Sequence, residues 1–177
     1  MKFRRYMNLL RSDLNRNRGN PKGVLVAILF RSCGFLYFNK KNPFFFLLGL
    51  TLIPFYRLFV EGLLSVGLPL SLCAEGGLVI FHGQGLVLNG RTKIGVNVTL
   101  RQNTTIGSKL MNCDGPAPVL GDNVNVGANS VILGDILVGN GSIVGAGSVV
   151  VKDVPPGVVV AGNPAQIIRR ISPPVTY

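Results

Sequence analysis

The chain has 177 residues, 47% of them hydrophobic, with a mean hydropathy of +0.43 and no Trp; that length suits one domain with an appendage. The net charge of +11 is uneven, because residues 1–70 carry 11 Lys/Arg against 2 Asp/Glu and residues 71–177 carry 7 against 5. Three scattered cysteines (Cys33, Cys73, Cys113) are odd in number and lack metal-ligand spacing, which argues against a disulfide framework and for a reduced, cytosolic setting.

Residues 1–70 read as a basic, partly apolar helical segment. "GVLVAILF" (23–30) precedes Arg31, "FFFLLGLTLIPFY" (44–56) precedes Arg57, and "LFVEGLLSVGL" follows. The uncharged run 42–56 is 15 residues and contains Pro54, short of the roughly 20 needed to span a bilayer. The first apolar run begins late and no small-x-small cleavage site follows, so a signal peptide is not expected. Two readings stay open: helices packed on the rest of the protein or on neighbouring subunits, and a contact of residues 1–66 with the inner membrane surface through Phe, Leu and basic side chains. The charges alternate with apolar runs and form no polar basic face, so nucleic acid is not an expected partner.

Residues 71–165 have a different period. Aliphatic residues recur every six positions at Ile94, Leu100 and Ile106, then Leu120, Val126, Ile132, Val138, Val144 and Val150, often with Gly directly after them. Small or β-branched residues sit four places on, as at Val98, Thr104, Val124, Ser130, Ser142 and Ser148. A period of six fits short strands joined by tight turns, with one side chain per unit stacked on an interior column, and so predicts a parallel β-helix. The interval from Ile106 to Leu120 is 14 residues, read as two units plus two residues, across a loop with two prolines. Pro155, Pro156 and Pro164 end the repeat, and residues 166–177 are expected to form a cap and tail, with Ile167 and Ile168 in the capping segment.

Counting back in sixes from Ile94 gives Leu88 and then His82, the single histidine of the chain. This places an imidazole in an interior column, costly unless paired; the spacing leaves catalysis and a structural histidine at a subunit seam equally open. One His cannot build a zinc site, so no metal is expected. Neither a Ser–His–Asp arrangement nor a phosphate-binding glycine loop stands out.

The run "VLGDNVNVGANSVILGDILVGNGSIVGAGSVVVKDVPPGVVVAGNPAQII", preceded by His82 and "IGVNVTLRQNTTIG", resembles the hexapeptide-repeat acyltransferases over residues 76 to 170. Its nearest branches are serine O-acetyltransferase and the O-acetyltransferases of colanic acid and capsule synthesis. The resemblance implies an all-β, left-handed parallel β-helix, a homotrimer and acetyl-CoA as co-substrate. It makes His82 the general base, a residue type whose ordinary titration lies near physiological pH. It places the oxyanion turn at Gly107 and Ser108. Coenzyme A would run past Ala128, Ala146, Ala161 and Asn163, with Lys152 and Arg169, beside Arg170, as phosphate partners or simply solvated charge. Gln102 and Asp114 would lie near the acceptor.

The departures from the serine branch are informative. Ala117 stands where that branch has a second His, Phe81 stands where it has an acid, and "GLPLSLCAEGG" offers no Asp to orient the base. Glu75 and Asp114 are the remaining acidic candidates for that role. These losses favour a saccharide acceptor, free or lipid-linked, at the cytoplasmic membrane face. Serine acetyltransfer and a non-catalytic scaffold are the alternatives.

Overall fold

A computed structural model of the chain describes residues 1–110 and 115–171. Three helices come first: α1 (Phe3–Arg16), α2 (Pro21–Phe38) and α3 (Pro43–Tyr56), which a π-helical segment, Arg57–Leu63, continues. α2 and α3 start alike. Asn20 accepts from the Gly23 N–H and Asn42 from the Phe44 N–H, and Pro follows in the first turn, where its fixed φ fits and its missing N–H costs nothing. All of the 15-residue uncharged run but its first residue, the capping Asn42, thus sits inside a 21-residue helical stretch, Pro43–Leu63, which like α2 is long and apolar enough to cross a membrane by length and composition. The sequence count ended at Arg57, but a single charge does not end a helix.

From Val66 the chain winds into five stacked coils with strands on three faces. The first face holds Val66–Gly67, Leu86–Leu88, Thr105–Gly107, Val131–Leu133 and Val149–Val150. The second holds Cys73–Ala74, Lys93–Ile94, Val119–Leu120 and Leu137–Val138. The third holds Val79–Phe81, Thr99–Arg101, Asn125–Val126, Ile143–Val144 and Val158–Gly162. Strand pairing along each face is parallel, apart from Ala165–Arg170, which folds back antiparallel on Val158–Gly162 and closes one edge.

The six-residue period is the interior of this prism. Ile94, Leu120 and Val138 stack behind the second face, Leu100, Val126 and Val144 behind the third, and Ile106, Ile132 and Val150 behind the first, none more than 2% exposed. The residues four places on fill the corners, and their hydroxyls are satisfied by turn carbonyls: Ser130 Oγ donates to Gly127 O at 2.9 Å and Ser148 Oγ to Gly145 O at 2.6 Å. Corner backbones take left-handed φ, as at Asn97, Asn103, Asn123 and Asn129, a conformation Asn tolerates better than most residues.

Two register expectations are corrected. Ile106 and Leu120 are successive column residues, because Ile94 pairs with Leu120 and Ile106 with Ile132, each 26 residues on. The loop therefore adds eight residues to an 18-residue coil, not two to a longer one. At the other end Ile80 pairs with Leu100, 20 residues on, whereas Leu88 pairs with Ile106, 18 on. Two extra residues lie in the turn between Ile80 and Leu88, so Ile80 fills the column and His82 does not.

The first coil presents bare strand edges, which repeat proteins must cover, and α1 and α2 cover them with side chains. Asn17 Nδ2 donates to Leu78 O, Asn20 Nδ2 to Ile80 O and Arg16 Nη1 to Gly77 O. Arg31 donates to Ala74 O and Glu75 O, both at 2.7 Å, and its Nε to Asp13 Oδ2 at 2.7 Å. Asp13 Oδ1 accepts from the Gly77 and Leu78 N–H groups at 2.8 and 3.0 Å. Of the two readings of the N-terminal segment, packing on the solenoid describes α1 and α2.

At the end of the third helix, buried Tyr56 donates to Leu68 O at 2.7 Å. Tyr56→Phe strands that carbonyl and should lower unfolding stability by about 1–3 kcal/mol, read as a shift in the urea midpoint at constant slope.

Candidate active site

His82 sits in the corner between the third and first faces, in the turn His82-Gly83-Gln84-Gly85 that holds the two extra residues. The Gly83 N–H donates to Phe81 O at 2.7 Å, which makes His82 the centre of a three-residue turn. Its φ is +64°, the rarer and more strained form of such a turn. Gly83 (φ +71°) and Gly85 (φ +66°) continue the left-handed path, which a side chain at either position would strain. Non-glycine residues held this way cluster at functional sites, and this one is exposed, not in the core.

The turn is fixed from two sides. The Asn103 N–H donates to Gln84 O at 2.7 Å from the next coil. On the helical side, the Gln84 amide donates to His82 O at 2.7 Å and its oxygen accepts from Lys22 Nζ of α2 at 3.2 Å. Burial lowers the Lys22 pKa from its ordinary value. Among the described residues no hydrogen bond or ion pair reaches the imidazole. Glu75 lies at another corner, with Oε1 held 2.8 Å from Arg5 Nη2, which corrects its candidacy as the orienting acid.

Strand registers continue the corner into a column. His82 stands over Gln102, Ala128 and Ala146 in successive coils, with the Asn129 N–H on Gln102 O and the Gly147 N–H on Ala128 O. Asn163 follows Gly147 one coil on, with Ala161 beside Gly145. At about 4.8 Å per coil, Ala146 lies about 14 Å from His82. Six of the expected residues thus share one edge. Below His82 it is a shelf of small side chains, and a Cβ at Gly147 would meet open space. Ala128 is half-buried and Ala146 exposed, so an extended ligand could lie against the backbone here. The Gln102 Oε1 is buried without a partner.

Other expected residues fall elsewhere. Gly107, Ser108 and Lys152 are on the edge between the first and second faces, where the Gly134 N–H bonds Gly107 O and Lys109 Nζ reaches Val151 O at 3.1 Å. Ser108 Oγ accepts from the Leu110 N–H. Arg169 and Arg170 are exposed on the antiparallel strand of the third face. One chain therefore does not bring these groups to His82. Asp114 lies outside the described residues, and no cluster of potential metal ligands exists among the described residues.

Sequence reasoning missed Arg101. Its guanidinium lies 5.8 Å from the centroid of the Phe81 ring, and Nη1 donates to Asn125 Oδ1 and Val126 O. Phe81 and Arg101 are one 20-residue coil apart, a pairing that a count in eighteens passes over. Lys22 was missed too, because nothing local in α2 announces a contact with a turn some 60 residues away.

The stacked coils and their six-residue period are those of a β-helix, and the comparisons say which family of β-helices the chain resembles. The family described as bacterial transferase hexapeptide (six repeats) matches residues 117–152. A protein of Escherichia coli strain K12, whose name WcaB carries a provisional assignment as a colanic acid biosynthesis acetyltransferase, is 32% identical over 157 residues, covering 88% of this chain and 96% of its own. The chain belongs to the hexapeptide-repeat transferase family. Serine acetyltransferase 3 of Arabidopsis thaliana is 39% identical over 101 residues, 57% of this chain and 26% of its own; the chain spans only a quarter to less than half of the serine acetyltransferases it matches in sequence. Among solved structures, the soybean serine acetyltransferase apoenzyme superposes with a TM-score of 0.78 at 29% identity, over 93% of this chain and 69% of that one. A serine acetyltransferase from Brucella abortus in complex with coenzyme A gives 0.77 at 25% identity, over 96% and 70%.

Proposed function

We propose that the protein is an acetyl-CoA-dependent O-acetyltransferase acting on a saccharide hydroxyl, with His82 as general base. The observation that carries this reading is the strained, exposed His82 at the head of an edge of small residues. The neutral imidazole accepts the proton of the acceptor hydroxyl as its oxygen attacks the thioester carbonyl. Collapse of the tetrahedral intermediate breaks the carbon–sulfur bond, and the imidazolium returns the proton to the departing thiolate. The shelf of Ala128, Ala146 and Ala161 takes the pantetheine arm; that a solved relative is a complex with coenzyme A supports the co-substrate.

Gly107, Ser108 and Lys152 stand on a different edge, so they serve the reaction only from a neighbouring protomer. A homotrimer of such prisms, with one edge of each against the next, brings the two sets together and places the oxyanion donors beside the base.

The acceptor follows from what surrounds His82. Among the described residues, Phe81, Arg101, Gln102, Gln84 and Lys22 at this corner include no carboxylate to hold the ammonium of an amino acid, whereas an aromatic face and amide groups suit a sugar ring. The provisional assignment of WcaB to colanic acid biosynthesis supports the same reading.

The test offers labelled acetyl-CoA with serine and with free and lipid-linked saccharides, side by side. Label on saccharide and none on serine is the expected result. Label on serine would overturn the acceptor, and a folded protein that labels neither and binds no coenzyme A would overturn the enzyme.

A further inference from the structure

α3 is the least covered of the three helices. Of its residues only Gly49 and Tyr56 are buried, while Phe44, Leu47, Leu58 and Leu63 along Pro43–Leu63 are 68%, 67%, 76% and 74% exposed. At about 1.5 Å per residue this stretch is roughly 31 Å long, far more apolar surface than scattered exposed side chains account for. Both of its ends are tied to the same folded body. The first follows α2 through a short turn, and Cys33 Sγ of α2 donates to Leu52 O; the last is anchored where Tyr56 and Val60 are buried and Tyr56 bonds Leu68 O. A helix held in this way, at its middle by α2 and at its last turns by the first coil, lies along the protein.

One end of this layer is basic and aromatic. The Met1 ammonium donates to Asn39 Oδ1, which sets the start of α1, with Lys2 and Phe3, beside Lys40 and Lys41 in the turn between α2 and α3. Phe3 packs edge-on against Phe35, and Phe35 against Phe45.

We propose that α3 and this basic end seat the protein on an anionic bilayer surface, with Phe and Leu side chains among the upper acyl chains and the lysines on the headgroups. Charge complementarity selects this occupant over a second copy of the chain. The basic end exposes Lys2, Lys40 and Lys41 with no acid among them, while Pro43–Leu63 adds only Arg57 and Glu61, so two copies packed through this end oppose like charge, whereas anionic headgroups neutralise it. The inference goes beyond the acceptor reading and stands without it, since its readout is binding and not turnover.

Purified full-length protein is sedimented with vesicles of phosphatidylcholine alone and of phosphatidylcholine with phosphatidylglycerol. At least tenfold more protein should pellet with the anionic vesicles, and the double variant Lys40→Glu/Lys41→Glu should lose at least tenfold of that binding while acetyl transfer to a soluble acceptor is unchanged. Because the chain has no Trp, Phe46→Trp gives a single reporter on the exposed face, and its emission should shift to the blue on anionic vesicles. Absence of both pelleting and shift overturns the proposal. So does a shift that appears without lipid as protein concentration and assembly mass rise, which assigns the face to a second copy, and so does equal binding to both vesicle types.

Discussion

Replacing His82 with Asn is expected to lower acetyl transfer by about 10²–10⁴-fold, the range for removal of a general base, with the fold intact. Asn is the informative substitution because His82 occupies a left-handed φ of +64°. Asn103, Asn123 and Asn129 hold similar angles at neighbouring corners, so the variant loses the base without adding strain. His82→Ala removes the same base but adds about 1 kcal/mol or more of backbone cost. Steady-state transfer from labelled acetyl-CoA, with urea denaturation of each variant, separates the two effects. Full activity in His82→Asn would remove His82 from the mechanism.

Asp13→Ala should be the most destabilising single substitution outside the β-helix interior. Asp13 and Arg31 have side chains 1% and 6% exposed, and the carboxylate also holds the Gly77 and Leu78 N–H groups. Truncation leaves a buried guanidinium without its counter-charge and two backbone donors without an acceptor. Breaking a buried pair from one side costs about 3–5 kcal/mol, a large part of the roughly 5–15 kcal/mol a domain has. At about 2–4 °C per kcal/mol for a chain of this size, the Tm should fall by roughly 10 °C in differential scanning calorimetry. Asp13→Asn keeps an oxygen for the two N–H groups and should fall less. Equal Tm values for Asp13→Ala and the parent would mean that the ion pair does not hold the helices to the first coil.

The columns from Ile94 to Val150 were legible in sequence because each coil meets the same packing problem and answers it with the same residue type every six positions. Counting failed where a corner changed length. A period says nothing about which residues in "FHGQGL" or "IGSKLMNCDGPAPVLG" are surplus, so His82 was placed in the interior and the loop was taken as two extra residues instead of eight. Pairing between coils settles both, because Ile80 must stack on Leu100 and Ile106 on Ile132. Along the His82 edge, His82 itself stood out by its spacing and the other candidates only through resemblance to a family, yet their separation from Gly107 and Ser108 depends on which corner each turn occupies. The N-terminal segment was the least legible. Asp13, Asn17, Asn20 and Arg31 read as ordinary polar residues on apolar helices, because the carbonyl and amide groups they satisfy are tens of residues away.

The helices that cover the first coil also alter what kind of site His82 occupies. A stack of coils is a one-dimensional lattice, and such lattices fray from their ends. The strand Val79–Phe81 lies at an end of its sheet, so a bare solenoid would open first at the turn of His82. With α1 and α2 attached, that terminal coil has neighbours on both sides, and its amides should exchange with solvent as slowly as those of the middle coils. The grip of Asn20 on Ile80 O, with Asn17 on Leu78 O just before the strand and Arg31 on Ala74 O and Glu75 O at the preceding corner, then sets how often the turn of His82 opens, and anything that loosens the helices is felt at His82 as a change in local protection.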